Sequence, residues 1–207
     1  MSESVSAAQP ARRTQRERRE STIARLVDAT IESILEVGYA RTSVKEICQR
    51  SGVSHGGLFR HFGSLLELVM TAAEEVARRQ LANIEAGLSH DAQGRDPLVH
   101  ALYQIRAACR APINAVFYEL VVAARTDPEL RQAMAAFGAR YVAAIADAAN
   151  RTRVAQQFPP ELLPVLVSSV LHLFDGEALT REVMPLHELE EQRMAMLVRL
   201  AQALAKK

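Results

Sequence analysis

Between Thr42 and Phe62 the chain reads T-S-V-K-E-I-C-Q-R-S-G-V-S-H-G-G-L-F-R-H-F. The residue types and their spacing point to non-covalent reading of a surface. Ser43 and Glu46 have S-x-x-E spacing, in which a hydroxyl and a carboxylate cap each other's free backbone N–H groups. Val44, Ile47 and Cys48 then fall on one helical stripe. Gly52 stands where a helix ends and positive φ is needed, and Ser54 follows as the next N-cap. Leu58 and Phe62, four apart, give a second short helix one apolar edge. Two helices joined this way make a helix-turn-helix, whose second helix enters the DNA major groove while the first braces it. A plain helical hairpin with a glycine turn carries the same pattern.

Motifs for covalent chemistry do not assemble elsewhere. His187-Glu188 does not continue as a zinc-protease motif, because Glu191 occupies the second His position. The six histidines are scattered, and no Gly-rich phosphate loop or nucleophile elbow appears. The reading is therefore of a non-enzyme, with no metal and no cofactor.

The elements that must hold the reading stretch come from a chain of 207 residues, 49% hydrophobic and 24% charged, with no Trp. Ala and Leu recur and β-branched runs are rare, so the expected class is all-α. Before the stretch, Ile23, Leu26, Val27, Thr30, Ile31, Ile34 and Leu35 follow a 3.6-residue period. This predicts a supporting helix over Ser21–Val37 that Gly38 stops. Residues 1–11 are Ser- and Ala-rich, and Arg12, Arg13, Arg16, Arg18 and Arg19 follow. They read either as a solvated helix start or as an arm that neutralises phosphates or enters a minor groove. Residues 1–63 carry a net +3 and the remainder −2, a basic head on a mildly acidic body.

The segment E-V-G-Y-A-R-T-S-V-K-E-I-C-Q-R-S-G-V-S-H-G-G-L-F-R-H-F-G-S resembles the DNA-binding head of TetR/AcrR-type transcriptional regulators, over about Ile23 to Val69. The resemblance implies a role for each matching residue. Thr42 or Ser43 would donate to a phosphate, and Ser54 would cap the recognition helix and contact phosphate. His55, Gly56 and Gly57 would face base edges. Phe59 stands where the family keeps a tyrosine and retains only its apolar contact. Arg60 would reach guanine or phosphate. His61 would contact phosphate or pack half-buried. Two departures stand out: Leu65 replaces a phosphate-anchoring Lys, and Gly57 replaces a small polar residue. Each Gly weakens a short helix by roughly 1 kcal/mol relative to Ala.

Three parts follow: a flexible basic arm (1–20), a three-helix helix-turn-helix head (21–63), and a larger effector-binding and dimerisation body (64–207), about nine helices in all. Ser64 caps a long helix to about Leu88, and a loop covers 89–97. Asp96-Pro97, Pro112 and Asp127-Pro128 open the next three helices, to about Ala111, Arg125 and Ala149. Tyr103, Arg106, Cys109, Phe117, Tyr118, Phe137, Tyr141 and His172 are the effector candidates, being polar or large on otherwise apolar faces. Arg106 suits a carboxylate or phosphate, since no i+4 ion pair is open to it. A penultimate helix begins at Pro159-Pro160, lacks a polar face, and bends or breaks at Asp175-Gly176. The last runs from about His187 to Ala205, with Lys206 and Lys207 at its end. This pair predicts a homodimer interface. Two cysteines in helical patterns, the lack of a signal-peptide pattern, and an apolar run (Leu162 to Phe174) too short for a bilayer predict a cytoplasmic protein away from membranes. The implied function is a one-component regulator, a repressor on a palindromic operator in double-stranded DNA, that answers to a small-molecule effector. The other reading is a helical nucleic-acid-binding or interaction protein without an effector.

Removal of the Arg-rich segment should lower operator affinity and flatten its dependence on salt. Binding titrations across salt concentrations check this, and an unchanged slope speaks for the solvated helix start.

Overall fold

Thr14 opens the first helix earlier than the apolar periodicity predicts. The Glu17 N–H donates to Thr14 Oγ1 (3.2 Å) and the Thr14 N–H donates to Glu17 Oε2 (2.8 Å), a complete capping box. Helix α1 therefore spans Gln15–Val37, and Arg16, Arg18 and Arg19 lie on its first turns rather than on an arm. The computed structural model describes residues 14–89 and 94–205. Arg12, Arg13, residues 90–93 of the expected loop, Lys206 and Lys207 lie outside them.

After α1 come α2 (Val44–Ser51), α3 (His55–Leu58), α4 (Leu65–Ser89), α5 (Pro97–Cys109), α6 (Ala115–Ala123), α7 (Pro128–Asn150), α8 (Leu163–Arg181) and α9 (His187–Leu204). The described residues hold these nine helices and no strand, the all-α class expected. Short 3₁₀ turns occupy Tyr39–Arg41, Pro112–Asn114 and Ala155–Gln157. The helix expected from Pro112 thus begins three residues later, where the Asn114 side-chain amide donates to the carbonyls of Ala108 and Cys109. Helix α8 starts at Leu163, with Pro164 in its first turn. Where a bend or a break was expected at Asp175-Gly176, it runs on to Arg181 as one helix. Gly there lowers helix propensity, but Phe174 and Glu177 on either side are buried and hold the backbone in place.

One apolar core crosses from head to body. Leu26 and Ile34 of α1, Ile47 of α2 and Leu58 of α3 pack with Leu68, Val69 and Ala72 of α4, Leu120 of α6 and Leu130 of α7. A second cluster joins Leu102 and Cys109 of α5, Phe174 of α8 and Met194 of α9. Helices α8 and α9 both pack on α5. Polar contacts tie the same junctions. The backbone N–H of Tyr39 donates to Glu119 Oε2 on α6 (3.1 Å). Gly38 is at φ +81 beside that carboxylate, a conformation that side-chain-bearing residues rarely adopt.

By length and composition α8 could cross a membrane, a point that the apolar run alone did not suggest. Its C-terminal half carries Asp175, Glu177 and Arg181, and Glu177 lies buried among arginines.

Arg79 joins α4 to α1 through Asp28 and also holds Glu75, which Arg78 grips with two bonds of 2.7 Å. The Arg78 hydrogen bonds, opposed by burial and helped by Arg79, bring the Glu75 carboxyl down to about 2 from an ordinary 4.5. A folded-state value below the unfolded one adds stability above the unfolded value, and this is lost as pH falls through the folded value. The half-exposed partners screen it to about 1 kcal/mol. Glu75→Gln should cost that much at pH 7, and the gap to the parent should close as pH falls from 4.5 towards about 2. Unfolding measured across that pH range reads it.

Candidate nucleic-acid interface and interior cavity

Each turn of the helix-turn-helix has a local cause. The Glu46 N–H donates to Ser43 Oγ (3.2 Å), which starts α2. The reciprocal half of the expected capping box is replaced: the Glu46 carboxylate accepts from Arg50 (2.7 Å), and Arg50 also pairs with Glu36 near the end of α1 (2.7 Å). Those two carboxylates, Glu36 first, hold the Arg50 guanidinium charged even more firmly than usual. Gly52 ends α2 in the left-handed region at φ +65. The Gly57 N–H then donates to Ser54 Oγ (3.1 Å) and caps α3. This helix is a single turn, because Leu58 and Phe62 are drawn into the core at its end.

Burial of Leu58 presents the opposite side to solvent. Ser54, His55, Gly56, Phe59 and Arg60 are all exposed. The His55 and Phe59 rings lie 4.8 Å apart, and Phe59 is 42% exposed. Arg60 makes no ion pair or hydrogen bond among the described residues, so its donors are open to acceptors on a base edge. Ser43 is exposed, and its hydroxyl proton remains available beyond the cap. Thr42 is not equivalent to it: the hydroxyl is buried, donates to the Gly38 carbonyl (3.0 Å) and lies 3.0 Å from Ser33 Oγ. Of the pair proposed for phosphate, only Ser43 is exposed. Gly57 also departs from expectation, because a Cβ there would lie 2.9 Å from Val53 Cγ1. It faces the turn between the helices and is set by packing. His61 is half-buried. Lys45 was passed over in the sequence; it is exposed two residues after the Ser43 cap and has no ion-pair partner among the described residues. Its place in the first turn of α2 was the available signal.

The effector candidates fall into separate places, and none lines the cavity described below. Tyr103 is at the surface, beneath Arg95 at 5.9 Å. His172 is exposed, with Nδ1 2.7 Å from the Ser168 carbonyl. Arg106 is buried, as its sequence context suggested, but it is already paired. It donates to Glu177 (2.8 Å) and Glu191 (2.7 Å), and Arg110 joins Glu177 and Glu190 beside it. These carboxylates are 71 to 85 residues away in sequence. Cys109 is buried, and that burial, with Asp175 nearby, pushes its thiol well above the ordinary value. Phe117, Tyr118, Phe137 and Tyr141 do come together, as a packed aromatic cluster with Phe137 stacked on Tyr141 at 5.6 Å. The Tyr118 hydroxyl donates to Asp175 (2.8 Å) and the Tyr141 hydroxyl to Gln80.

The cavity lies elsewhere. It encloses about 870 Å³ between α4, α5, α7 and α8, lined by Leu81, Ile84, Leu102, Ile105, Val170 and Leu171 among others. None of the eight candidates lines it. Most of its lining is aliphatic, which a search for polar or large residues on apolar faces passes over.

Residues 26–70 match the family model described as bacterial regulatory proteins, tetR family. An uncharacterized HTH-type transcriptional regulator of Mycobacterium tuberculosis is 45% identical over 191 residues, covering 92% of this chain and 98% of that protein. Among solved structures, a transcriptional regulator from Streptomyces coelicolor A3(2) superposes with a TM-score of 0.68 at 20% identity, over 90% of this chain and 99% of its own. A transcriptional regulator from Saccharomonospora viridis, in complex with choline, reaches 0.65 at 13% identity, over 91% of this chain and 100% of its own.

The two glycines of α3 should separate by substitution. Gly56→Ala, with nothing within 4 Å of the new methyl, should leave stability equal or raised by up to about 1 kcal/mol. Gly57→Ala should destabilise the chain by about 1–3 kcal/mol through its clash with Val53. Paired thermal unfolding curves check the contrast.

Proposed function

The chain belongs to the TetR family of bacterial regulatory proteins, and from that premise we propose that it is a one-component repressor. Two copies bind a palindromic operator in double-stranded DNA, and a small molecule in the body sets their affinity for it. The observation that carries the reading is the exposed row of Ser54, His55, Phe59 and Arg60, held rigid by buried Leu58 and Phe62. Arg60 is the base-reading cation, and Ser43, Lys45 and Ser54 anchor phosphates. Phe59 offers an apolar face to a thymine methyl.

Dimerisation is supported by the surfaces of the last two helices and their connection. Val165, Leu179, Val183, Met184, Leu189 and Met196 are exposed, Val183 to 79%. Apolar surface of this kind marks a protein contact, and a two-fold pair matches two half-sites. The effector reading rests on the cavity and on a protein of this fold that holds choline. Helix α4 connects the two tasks: Leu81 and Ile84 line the cavity, while Leu68, Val69 and Ala72 pack with the head. An effector shifts head spacing only if it binds one arrangement better than the other. A regulator of this kind works in the cytoplasm, where the DNA is.

Nuclease footprinting on DNA upstream of candidate genes should show a discrete protected site with two-fold symmetry. Arg60→Ala should weaken that site by about 1–3 kcal/mol and relax selectivity at one base pair per half-site. Uniform coating of DNA would overturn the proposal.

A further inference from the structure

The cavity wall is hydrocarbon except at one end. Leu81, Ile84, Leu102, Ile105, Val170 and Leu171 offer no hydrogen-bonding side chain, and Phe158 adds the one phenyl ring of the lining. A polar group placed among them would lose its water and gain no partner, which is costly. The part of a ligand that fills this space is therefore apolar, and a flexible alkyl chain suits aliphatic walls better than a stacked ring system does. The volume is in the upper part of the usual range of ~300–1,000 Å³ for small-molecule sites.

The polar lining groups gather where the C-terminal ends of α4 and α7 meet the start of α5. Glu85 and Arg151 pair there at 2.7 Å. His100 Nε2 lies 3.1 Å from the Gly87 carbonyl. The Thr152 hydroxyl donates to Ala149 and accepts from the Ala155 N–H, so both of its roles are filled. Arg153 is exposed and has no ion pair or hydrogen bond among the described residues. The three charged residues of the lining, two Arg and one Glu, leave a net positive rim.

We infer that the effector is an amphipathic anion, a medium- to long-chain alkyl carboxylate whose tail fills the cavity and whose head group pairs with Arg153 at the rim. This rests on the regulatory reading above and names the chemical class of its effector. The tail supplies affinity in proportion to the CH₂ groups removed from water, and the guanidinium supplies selection for a carboxylate head.

Calorimetry on the full chain, below micelle-forming concentrations, compares octanoate, decanoate and dodecanoate with dodecanol and dodecyltrimethylammonium. Affinity should rise about tenfold for every two carbons, and dodecanoate should bind at least tenfold more tightly than the cationic amphiphile. Arg153→Ala, an exposed change that spares the core, should bring dodecanoate to the level of dodecanol. Ala148→Phe, which fills the cavity from α7, should abolish binding of every probe, with unfolding curves checking that it folds. Equal binding of all three head groups, indifference to Arg153→Ala, or no binding at all would overturn the inference. Footprints made on the same preparations separate the two ideas. A discrete operator with no response to any carboxylate overturns the ligand class alone. Absence of any discrete protected site for the ligand-free protein overturns the regulatory reading, while calorimetry still decides the ligand.

Discussion

Along α4, Leu68, Val69, Ala72 and Val76 are almost wholly removed from water, packed against α1 on one side and α6 and α7 on the other. This burial is the constraint on which both ends of the molecule depend. Loss of water from apolar surface is the main force favouring the fold, and here one helix supplies it to the head and the body together. The reading head therefore has no separate core of its own. Its orientation is set by the face of α4 that it shares with α6 and α7, and the cavity opens on a later stretch of the same helix.

Polar contacts add direction to a force that has none. Glu119 reaches from α6 to the Tyr39 N–H just after α1, Arg79 joins α4 to Asp28 of α1, and Arg50 joins α2 to Glu36. Each links two elements that apolar packing alone would allow to slide. At the other end, Arg106 and Arg110 with Glu177 and Glu190 hold α5, α8 and α9 together. Buried charges are tolerated because they satisfy one another, and removal of one partner would leave the others stranded. In that set Arg106, whose burial first suggested a ligand group, already has carboxylate partners.

Head and cavity were legible to different degrees. The caps at Ser43 and Ser54, the turn at Gly52 and the apolar pair Leu58 and Phe62 could be read directly, since each depends on residues within four positions. The same local logic failed where burial and packing, not capping or periodicity, set a residue's role. Thr42 and Ser43 look alike in sequence, yet Ser33, nine residues earlier, draws the Thr42 hydroxyl inward. Gly57 resembles a groove-facing position until Val53 is found beneath it. Gly176 reads as a helix break until the burial of Phe174 and Glu177 outweighs its poor propensity.

By itself the sequence determined the all-α class, the helix-turn-helix, the family and most helix starts. The class, the helix-turn-helix and the helix starts follow from backbone capping, proline and glycine geometry and helical periodicity, all short-range, while the family follows from the resemblance of the Ile23 to Val69 segment. Only the tertiary structure decided which polar side chains stay free. Arg106 and Tyr118 find partners across the fold and Thr42 finds them within the head, whereas Arg60 and Arg153 find none among the described residues. A charge becomes available to a ligand when no carboxylate packs beside it, and that depends on residues 71 to 85 positions away in the case of Arg106. An aliphatic cavity is equally silent in sequence, because the same leucines and valines fill a core or surround a void according to how the helices pack.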